Sequence, residues 1–365
     1  MTSETDTVIA ADAPSLEETE VTQVISVPEE TSIPSEDQSV EEDTENARIP
    51  TIPQLCVALG MLGILFGAPY LFPLLKSSTT ETTPTPLEER AAVSPDSAFP
   101  TDAFAGVTLE AEAAYVWDIS LQRALYTKNA QAQLPLASLT KLMTALVTYE
   151  TQENSDEVII TLDALRQEGD NGFREGDTWN TKNLLDFTLM TSSNDGAYAL
   201  AGSVGRAFAD ATTDPETAFI QHMNKKAEEI GLTHTYFINP TGLDASEAQS
   251  GSYGSARDVA FLMEYIIRNA SSILAETRHT SAKFTDMTGA VYDATNTNQH
   301  ISNIPNPLGS KTGYTVLAGG NLVIGFDIGL NHPIVISVLG STREGRFTDV
   351  EKLIARVQNA YTTAP

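Results

Sequence analysis

The chain has 365 residues, 41% of them hydrophobic, which is enough for one large or two medium domains with a real core. Its formal net charge of −28 at pH 7 argues against nucleic-acid binding, because phosphate contacts require clustered Lys and Arg. One cysteine excludes an intramolecular disulfide, and the histidine spacing does not match a metalloprotease helix, so we predict neither a metal site nor a cofactor.

Residues 1–48 form an acidic segment. They hold fourteen Asp and Glu side chains and one basic side chain, Arg48, for a net charge of −13 (1 − 14). The segment is rich in Glu, Thr, Ser and Val and has no sustained hydrophobic period, so we expect it to be disordered. A solvated spacer is the favoured interpretation, and binding to a basic partner is the alternative.

Residues 49–75 contain no charged side chain, and a bilayer needs about 20 apolar residues to be spanned. We interpret this run as an uncleaved transmembrane anchor; a buried core helix is the alternative. A cleaved signal is disfavoured because the preceding segment is long and acidic. Arg48 and Lys76 nearly balance, so charge does not decide the orientation. Residues 76–103 are rich in Ser, Thr and Pro and predict a tether to a folded domain at 104–365.

The pattern from residue 104 onward is typical of an α+β domain. Hydrophobic periodicity predicts strands at 114–119, 125–127, 158–161, 322–326 and 333–339. It predicts helices beginning at Ser138 and at 181–190, 194–208, 215–230, 255–269 and 346–361. Because strands lie at both ends, we expect them to share one antiparallel sheet, flanked by helices, with a helical subdomain inserted between them.

Residues 134–148, LPLASLTKLMTALVT, place Ser138 and Lys141 three residues apart at a predicted helix start. That spacing puts both side chains on one side of a helix. A neutral lysine there can take the proton of the serine and make it a nucleophile. Backbone N–H groups at a helix start can also face an oxyanion. Taken alone, however, the S-x-x-K pattern is explained as well by a surface serine and lysine.

Two further motifs follow in the same domain. Ser192-Ser193-Asn194 lies at a predicted helix start, where a serine is often an N-cap, and Lys311-Thr312-Gly313 precedes the strand at 322–326. S-x-x-K, S-x-N and K-T-G occur in this order, once each, between residues 104 and 365. This combination is found in penicillin-binding proteins and class A β-lactamases.

The chain most resembles the low-molecular-mass D-alanyl-D-alanine carboxypeptidases, which are serine D,D-peptidases. The loop 239–244 (NPTGLD) and the segments SARDVAFL and GSKTGYTVLAGGNLV add to this resemblance, which extends over about residues 103–361. It implies a β-lactamase/transpeptidase-like fold and an acyl-enzyme mechanism.

The resemblance also implies roles for the catalytic side chains. Ser138 would attack the carbonyl of the penultimate D-alanine, and Lys141 would accept its proton. Burial and the ammonium of Lys311 would lower the pKa of Lys141 enough for this. Ser192 would relay a proton to the departing D-alanine, and Asn194 would bind a substrate amide and help orient the lysine base.

Substrate binding is implied for the K-T-G segment. Lys311 and Thr312 would meet the terminal carboxylate, with a charge and a hydroxyl donor respectively. Gly313 would let the substrate backbone approach closely. The backbone N–H groups of Ser138 and Tyr314 would form the oxyanion hole. If this segment is an edge strand, an extended peptide can pair beside it.

The expected function is therefore that of a serine-type D-Ala-D-Ala carboxypeptidase that trims peptidoglycan stem pentapeptides and is inhibited by β-lactams. A D,D-endopeptidase, a β-lactamase and a non-catalytic peptidoglycan-binding protein are the alternatives. Class A β-lactamases add a Glu and an Asn four residues apart between the second and third motifs. No Glu between Asn194 and Lys311 has Asn at that spacing, which favours the peptidase.

The family also bears on location. Many members carry a β-rich second domain and a C-terminal membrane helix, whereas this chain ends 52 residues (365 − 313) beyond Gly313. We therefore expect a single-pass protein of the cytoplasmic membrane, anchored by residues 49–75. Because peptidoglycan lies outside that membrane, the acidic tail would be cytoplasmic and residues 76–365 extracytoplasmic.

Overall fold

The computed structural model describes residues 99, 100 and 102–363. The predicted acidic tail and membrane anchor, and the tether up to residue 98, lie outside the described residues. Within the described part of the chain, no helix is long and apolar enough to cross a membrane.

The strands of the described region are β1 (Ala113–Asp118), β2 (Arg123–Lys128), β3 (Leu134–Pro135), β4 (Glu157–Ile159), β5 (Thr178–Asn180), β6 (Tyr236–Phe237), β7 (Ser252–Gly254), β8 (Ser281–Thr285), β9 (Val291–Thr295), β10 (Pro307–Thr315), β11 (Gly319–Asp327) and β12 (Pro333–Ser341). Its α-helices are α1 (Lys141–Thr151), α2 (Leu162–Leu165), α3 (Thr181–Thr191), α4 (Asn194–Gly205), α5 (Pro215–Glu229), α6 (Ala256–Asn269) and α7 (Gly345–Thr363). Short 3₁₀ turns are found at Ala137–Thr140, Ser271–Leu274, Glu276–Arg278 and Ile301–Asn303.

Five strands form an antiparallel sheet in the order β10-β11-β12-β1-β2. Strand β1 pairs with β12 from Ala113 opposite Leu339 to Asp118 opposite Ile334. The expectation that the terminal strands share one antiparallel sheet is therefore confirmed. Among the described residues β11 is the only neighbour of β10 in this sheet, so the K-T-G segment lies on an edge strand.

Helices cover both faces of this sheet. All six residues of β1 are buried, and successive side chains of a strand point to opposite faces. Tyr115 and Trp117 belong to one hydrophobic core, together with buried residues of α6. Ala114 and Val116 belong to a second core, together with buried residues of α7. Strand β1 is therefore buried along its whole length because a helix packs on each face of the sheet.

Helices α1 to α5 lie between β2 and β10 in the chain, as the expected helical insertion. The start of α1 and both ends of α3, α4 and α5 agree with the predicted ones to within a few residues, whereas the four-residue helix α2 was not predicted. Helix α4 ends at Gly205, before the predicted end at residue 208. The first residue of α5, Pro215, lies close to Gly205. A Cβ atom on Gly205 would lie 1.9 Å from the carbonyl oxygen of Pro215.

The hairpin of β8 and β9 and the short strands β3, β5, β6 and β7 were not expected. Each hairpin strand buries one of its five residues, so the alternation of apolar and polar positions is weak. The other four strands have only two or three residues each, too few to show a period.

The first described residues pack against the last helix. The ring of Phe99 lies 5.3 Å from that of Tyr361, and the Arg123 guanidinium lies 5.4 Å from the Phe99 ring. Tyr361 donates a hydrogen bond to the buried carboxylate of Asp118, which also contacts His332 Nε2 at 2.8 Å. The two ends of the folded region therefore meet at one corner of the sheet.

Candidate active site

Ser138 lies in the 3₁₀ turn Ala137–Thr140, directly before α1, and not in an α-helical turn as expected. Ala137 has a φ of 48°, a left-handed conformation that is uncommon for a residue with a Cβ atom. Residues three apart in a 3₁₀ turn eclipse each other. This stacks Lys141, the first residue of α1, directly on the serine, and Lys141 Nζ lies 3.0 Å from Ser138 Oγ.

The Lys141 side chain is completely buried. Its Nζ also donates hydrogen bonds to Asn194 Oδ1 and to the carbonyl oxygen of Thr241, both at 2.7 Å. Burial lowers the pKa of Lys141 to about 7, and the charge of Asp195 opposes this shift. A neutral amine is therefore available near pH 7.

A second buried lysine, Lys311, projects from β10. Its Nζ donates to Ser192 Oγ at 2.8 Å and to the carbonyl oxygen of Thr312 at 2.9 Å. Burial is the main cause that holds the pKa of Lys311 well below its ordinary value, and the charges of Lys141 and Arg346 add to it. We expected burial and the Lys311 ammonium together to lower the pKa of Lys141. Burial does lower it, whereas the repulsion between the two lysines contributes to the lowered pKa of Lys311.

The connection between α3 and α4 aims two side chains at the two lysines. Ser192 ends α3 with φ 63° and ψ 33°, and Ser193, not Ser192, is the N-cap of α4. In this tight turn Ser192 faces Lys311, while Asn194, the first residue of α4, faces Lys141.

The glycine of K-T-G brings β10 against the Ser138 turn. A Cβ atom on Gly313 would lie 2.8 Å from the carbonyl oxygen of Leu136 and 3.2 Å from the backbone nitrogen of Ser138. A glycine is therefore required here, in the first place, by the close contact between β10 and the Ser138 turn. On its other side, the Gly313 carbonyl accepts a 2.7 Å hydrogen bond from the buried guanidinium of Arg346.

The residues around this glycine differ in exposure. Thr312 is buried, and its hydroxyl donates to Thr297 Oγ1 at 2.7 Å. Tyr314 is 40% exposed, and the Arg343 guanidinium lies 3.8 Å from the centre of its ring. One edge strand thus presents a buried hydroxyl and an exposed aromatic ring side by side.

The loop 239–244 holds the carbonyl that Lys141 contacts. Asn239 Oδ1 accepts hydrogen bonds from the backbone N–H groups of Thr241 and Gly242, at 3.2 and 2.7 Å. This internal bonding fixes the direction of the Thr241 carbonyl. The Asn-Pro-Thr-Gly sequence predicts a turn, but not which of its carbonyl groups meets the lysine.

The structure brings seven of the eight residues named from the sequence to one site: Ser138, Lys141, Ser192, Asn194, Lys311, Thr312 and Gly313. The eighth, Tyr314, follows Gly313 on β10. Sequence reasoning missed four residues beside them: Asp195, Thr241, Thr297 and Arg346. Across the described residues, no group of three or more His, Cys, Asp or Glu side chains is arranged to hold a metal ion.

The chain is similar to known proteins of one family. A profile of the family described as D-alanyl-D-alanine carboxypeptidase matches residues 99–342. The D-alanyl-D-alanine carboxypeptidase DacF of Bacillus subtilis is 31% identical over 262 residues, which cover 70% of this chain but only 64% of DacF. The D-alanyl-D-alanine endopeptidase of Pseudomonas aeruginosa is 29% identical over 271 residues, covering 71% of this chain and 82% of that protein.

Among solved structures, the chain is similar to penicillin-binding protein D2 from Listeria monocytogenes in its ampicillin-bound form. The TM-score is 0.57 at 27% sequence identity, over 68% of this chain and 98% of that one. This similarity confirms the expected mixed, transpeptidase-like arrangement of helices and sheet.

Proposed function

The chain belongs to the D-alanyl-D-alanine carboxypeptidase family, and from this we propose that it removes the terminal D-alanine of peptidoglycan stem pentapeptides through an acyl-enzyme. The observation that carries the proposal is the 3.0 Å contact between Ser138 Oγ and Lys141 Nζ. A serine becomes an effective nucleophile when a base lies within hydrogen-bond distance and has a pKa near the working pH. Lys141 meets both conditions.

The three partners of Lys141 suit a neutral amine. Asn194 Oδ1 and the Thr241 carbonyl can only accept, so they take the two N–H groups of an amine. The third partner, the Ser138 hydroxyl, accepts a hydrogen bond from the ammonium and can donate one to the lone pair of the neutral amine. This arrangement directs the proton of Ser138 to Lys141 Nζ when the serine attacks.

Acylation forms a bond between Ser138 Oγ and the carbonyl carbon of the penultimate D-alanine. The developing negative charge on the carbonyl oxygen would be held by the backbone N–H groups of Ser138 and Tyr314. Because Gly313 packs against the Ser138 turn, these two groups come from neighbouring segments.

Collapse of the intermediate breaks the peptide bond and releases D-alanine. Its amine would receive a proton by way of Ser192, whose hydroxyl is bound to Lys311 Nζ. Lys311 and Thr312 would hold the terminal carboxylate, and β10 offers an open edge for the extended peptide. Water then hydrolyses the ester at Ser138.

The test uses the full-length chain and a fluorescent penicillin. We expect the label on Ser138, located by mass spectrometry, and release of D-alanine from a pentapeptide ending in D-Ala-D-Ala. Ser138→Ala should abolish both, while Ser246→Ala, at an exposed serine, should change neither. Absence of labelling would indicate a non-catalytic peptidoglycan-binding protein, and rapid penicillin turnover a β-lactamase.

A D,D-endopeptidase is the second candidate. The P. aeruginosa relative named as an endopeptidase is matched over 82% of its length, a larger share than the 64% of DacF. Incubation with a purified cross-linked peptide dimer separates the two activities: an endopeptidase yields monomers, whereas a carboxypeptidase releases only free D-alanine.

We also propose that residues 49–75 anchor the protein in the cytoplasmic membrane, with residues 76–365 outside. The uncharged run of sufficient length and the location of peptidoglycan support this proposal. Reporter fusions at residue 30 and at the C-terminus test it. A cytoplasmic C-terminus would contradict both the topology and the proposed substrate.

A further inference from the structure

Asp195 is a buried acid beside the proposed base. It lies in the first turn of α4, next to Asn194, and is 2% exposed. Its Oδ1 atom is buried and has no hydrogen-bond partner in the described part of the chain. A carboxylate near a helix N-terminus stabilises the helix, but a solvated acid would do this without the penalty of burying an unpaired oxygen. The helix therefore does not explain why this acid is buried.

Charged groups from four other segments face Asp195 and the lysines. The charge of Asp195 raises the pKa of Lys141 of α1, and the charge of Lys141 lowers that of Lys311 of β10. Asp170, in the loop after α2, repels Asp195. On the far side, Arg346 of α7 acts on Lys311. Asp195 is thus the acid that offsets the charge of Lys141.

The loop that carries Asp170 is tied to the same turn of α4. Asn194 Nδ2 donates a 2.6 Å hydrogen bond to the carbonyl oxygen of Glu168, while Asn194 Oδ1 accepts from Lys141. Loop, acid and base are therefore connected through Asn194. A change in the charge of Asp195 acts on the amine directly and, through its neighbour Asn194, on the group that orients it.

The proton affinities of the two side chains are close. Burial is the largest cause that raises the pKa of Asp195 to about 6, and the charge of Asp170 adds to it. The pKa of Lys141 is about 7. Because the charge of each group acts on the other, the two titrations are linked. A charged Asp195 favours the ammonium, and a protonated Asp195 favours the neutral amine.

We propose that Asp195 is a positioning residue that sets the pH range in which Lys141 can accept the proton of Ser138. This inference rests on the proposed acylation chemistry. Asp195 does not contact the reacting atoms. It acts through Lys141, whose ammonium it stabilises, and so delays the appearance of the free amine as the pH rises.

Substitution of Asp195 separates charge from shape. Asp195→Asn keeps the size of the side chain and removes the charge, so the amine of Lys141 becomes free at lower pH. We expect the acid limb of the pH profile of the acylation rate to move to lower pH by about half a unit. This corresponds to roughly threefold more neutral amine at a given pH on that limb. Asp195→Glu retains the charge and should restore the wild-type profile.

A second variant changes an exposed residue instead of the buried Asp195. Asp170 is exposed, and Asp170→Asn removes the charge that repels Asp195. Asp195 then stays ionised to lower pH, so the limb should move in the opposite direction, towards higher pH. Asp163→Asn is the matched control. Like Asp195, Asp163 is an acid in the first turn of a helix, but it pairs with Arg166 at the surface. It should leave the profile unchanged.

The experiment measures acylation of the full-length variants by a fluorescent penicillin from pH 5.5 to 8.5. In parallel, NMR of chain labelled with ¹³C at lysine Cε follows the titration of Lys141, whose signal is assigned by its loss in Lys141→Arg. A lower titration midpoint for Lys141 in Asp195→Asn supports the proposal. An unchanged midpoint, or equal changes in Asp195→Asn and Asp163→Asn, overturns it. If no protein is acylated, the proposed function fails, while the NMR midpoint still decides the role of Asp195.

Discussion

Lys141, the proposed base, lies in an unfavourable location for a charged group. A buried ammonium is costly, and this cost is what makes the amine available near neutral pH. The groups around it are a serine, an asparagine and a backbone carbonyl, so no side chain in direct hydrogen-bond contact neutralises its charge. The base is therefore produced by packing, without any unusual covalent chemistry.

Lys141→Arg tests this requirement. A guanidinium does not lose its proton in proteins, so we expect acylation by penicillin at pH 8 to fall by about 10² to 10⁴, the usual contribution of a general base. Lys352→Arg, at a partly exposed lysine that binds the Thr108 carbonyl, is the control and should acylate normally. A Lys141→Arg variant with more than a tenth of wild-type activity would refute the role of the lysine as base.

The reactive side chains could be found from the sequence because each lies in a short motif. Ser138 and Lys141 are only three residues apart, and K-T-G is contiguous. The contribution of Thr241 could not be found, because it is made by a backbone carbonyl, which every residue has. Arg346 could not be predicted either, because the carbonyl oxygen that it binds belongs to Gly313, 33 residues away in the sequence.

At the scale of elements, the site depends on how strand β10 meets the 3₁₀ turn before α1. Gly313 permits this contact, and the Arg346 guanidinium holds the strand from the other side. The K-T-G string alone is compatible with a turn. Its position on an edge strand follows from the pairing of residues 307–315 with β11, which local periodicity does not reveal.

Gly313→Ala should separate the two elements. The added Cβ atom would meet the Leu136 carbonyl at 2.8 Å, so β10 must shift away from Ser138. We expect acylation to fall by at least tenfold, because small misplacements in an active site have large effects on rate. Far-ultraviolet circular dichroism should remain close to that of the wild type.

Gly202→Ala is the control for that substitution. A Cβ atom on Gly202, within α4, would meet nothing within 4 Å. This variant should keep full activity and gain about 0.5–1 kcal/mol in unfolding free energy, because alanine favours helix over glycine. Equal losses of acylation in both variants would show that the Gly313 contact is not specific.

Asn239→Ala addresses the loop 239–244 in the same way. The substitution removes the acceptor that fixes two backbone N–H groups, and each buried group left unpaired costs about 1–3 kcal/mol. We expect a lower melting temperature together with slower acylation, since the Thr241 carbonyl loses its direction. Asn269→Ala, at an exposed asparagine, should change neither property. Normal acylation by a destabilised Asn239→Ala protein would rule out the orienting role.

For the whole molecule, the buried lysine links stability to pH. The pKa of Lys141 is about 7 in the folded chain and 10.5 as its ordinary value, so between these limits the unfolded chain binds more protons. Stability must then rise with pH across this window. The stability lost as the pH falls from 10.5 to about 7 is therefore greatest near neutral pH, where the enzyme is proposed to work.

Lys141→Met removes this linkage. Denaturant unfolding at pH 7 to 10 should show that the wild type gains stability relative to the variant by up to about 1.4 kcal/mol per pH unit. The comparison is of slopes, so the polar partners left unpaired by methionine do not affect it. Parallel stability curves for the two proteins would mean that Lys141 is not buried as a neutral amine.

The general architecture was predictable, and its details less so. Strands at both ends of the domain with helices between them indicated one sheet shared by the terminal strands, and this is confirmed. The hairpin β8–β9 was missed because most of its side chains face solvent. Strand order and the 3₁₀ turn at Ser138 are set by contacts between distant segments, which periodicity does not report.

The corner where Phe99 meets Tyr361 makes the folded region suitable for circular permutation. Because its ends are in contact, a short linker can join residue 363 to residue 99 without crossing the proposed active site. New ends can be opened at Leu330, which is fully exposed in the turn between β11 and β12. Such a rearranged chain should keep the same sheet, since every strand pair would retain its neighbours.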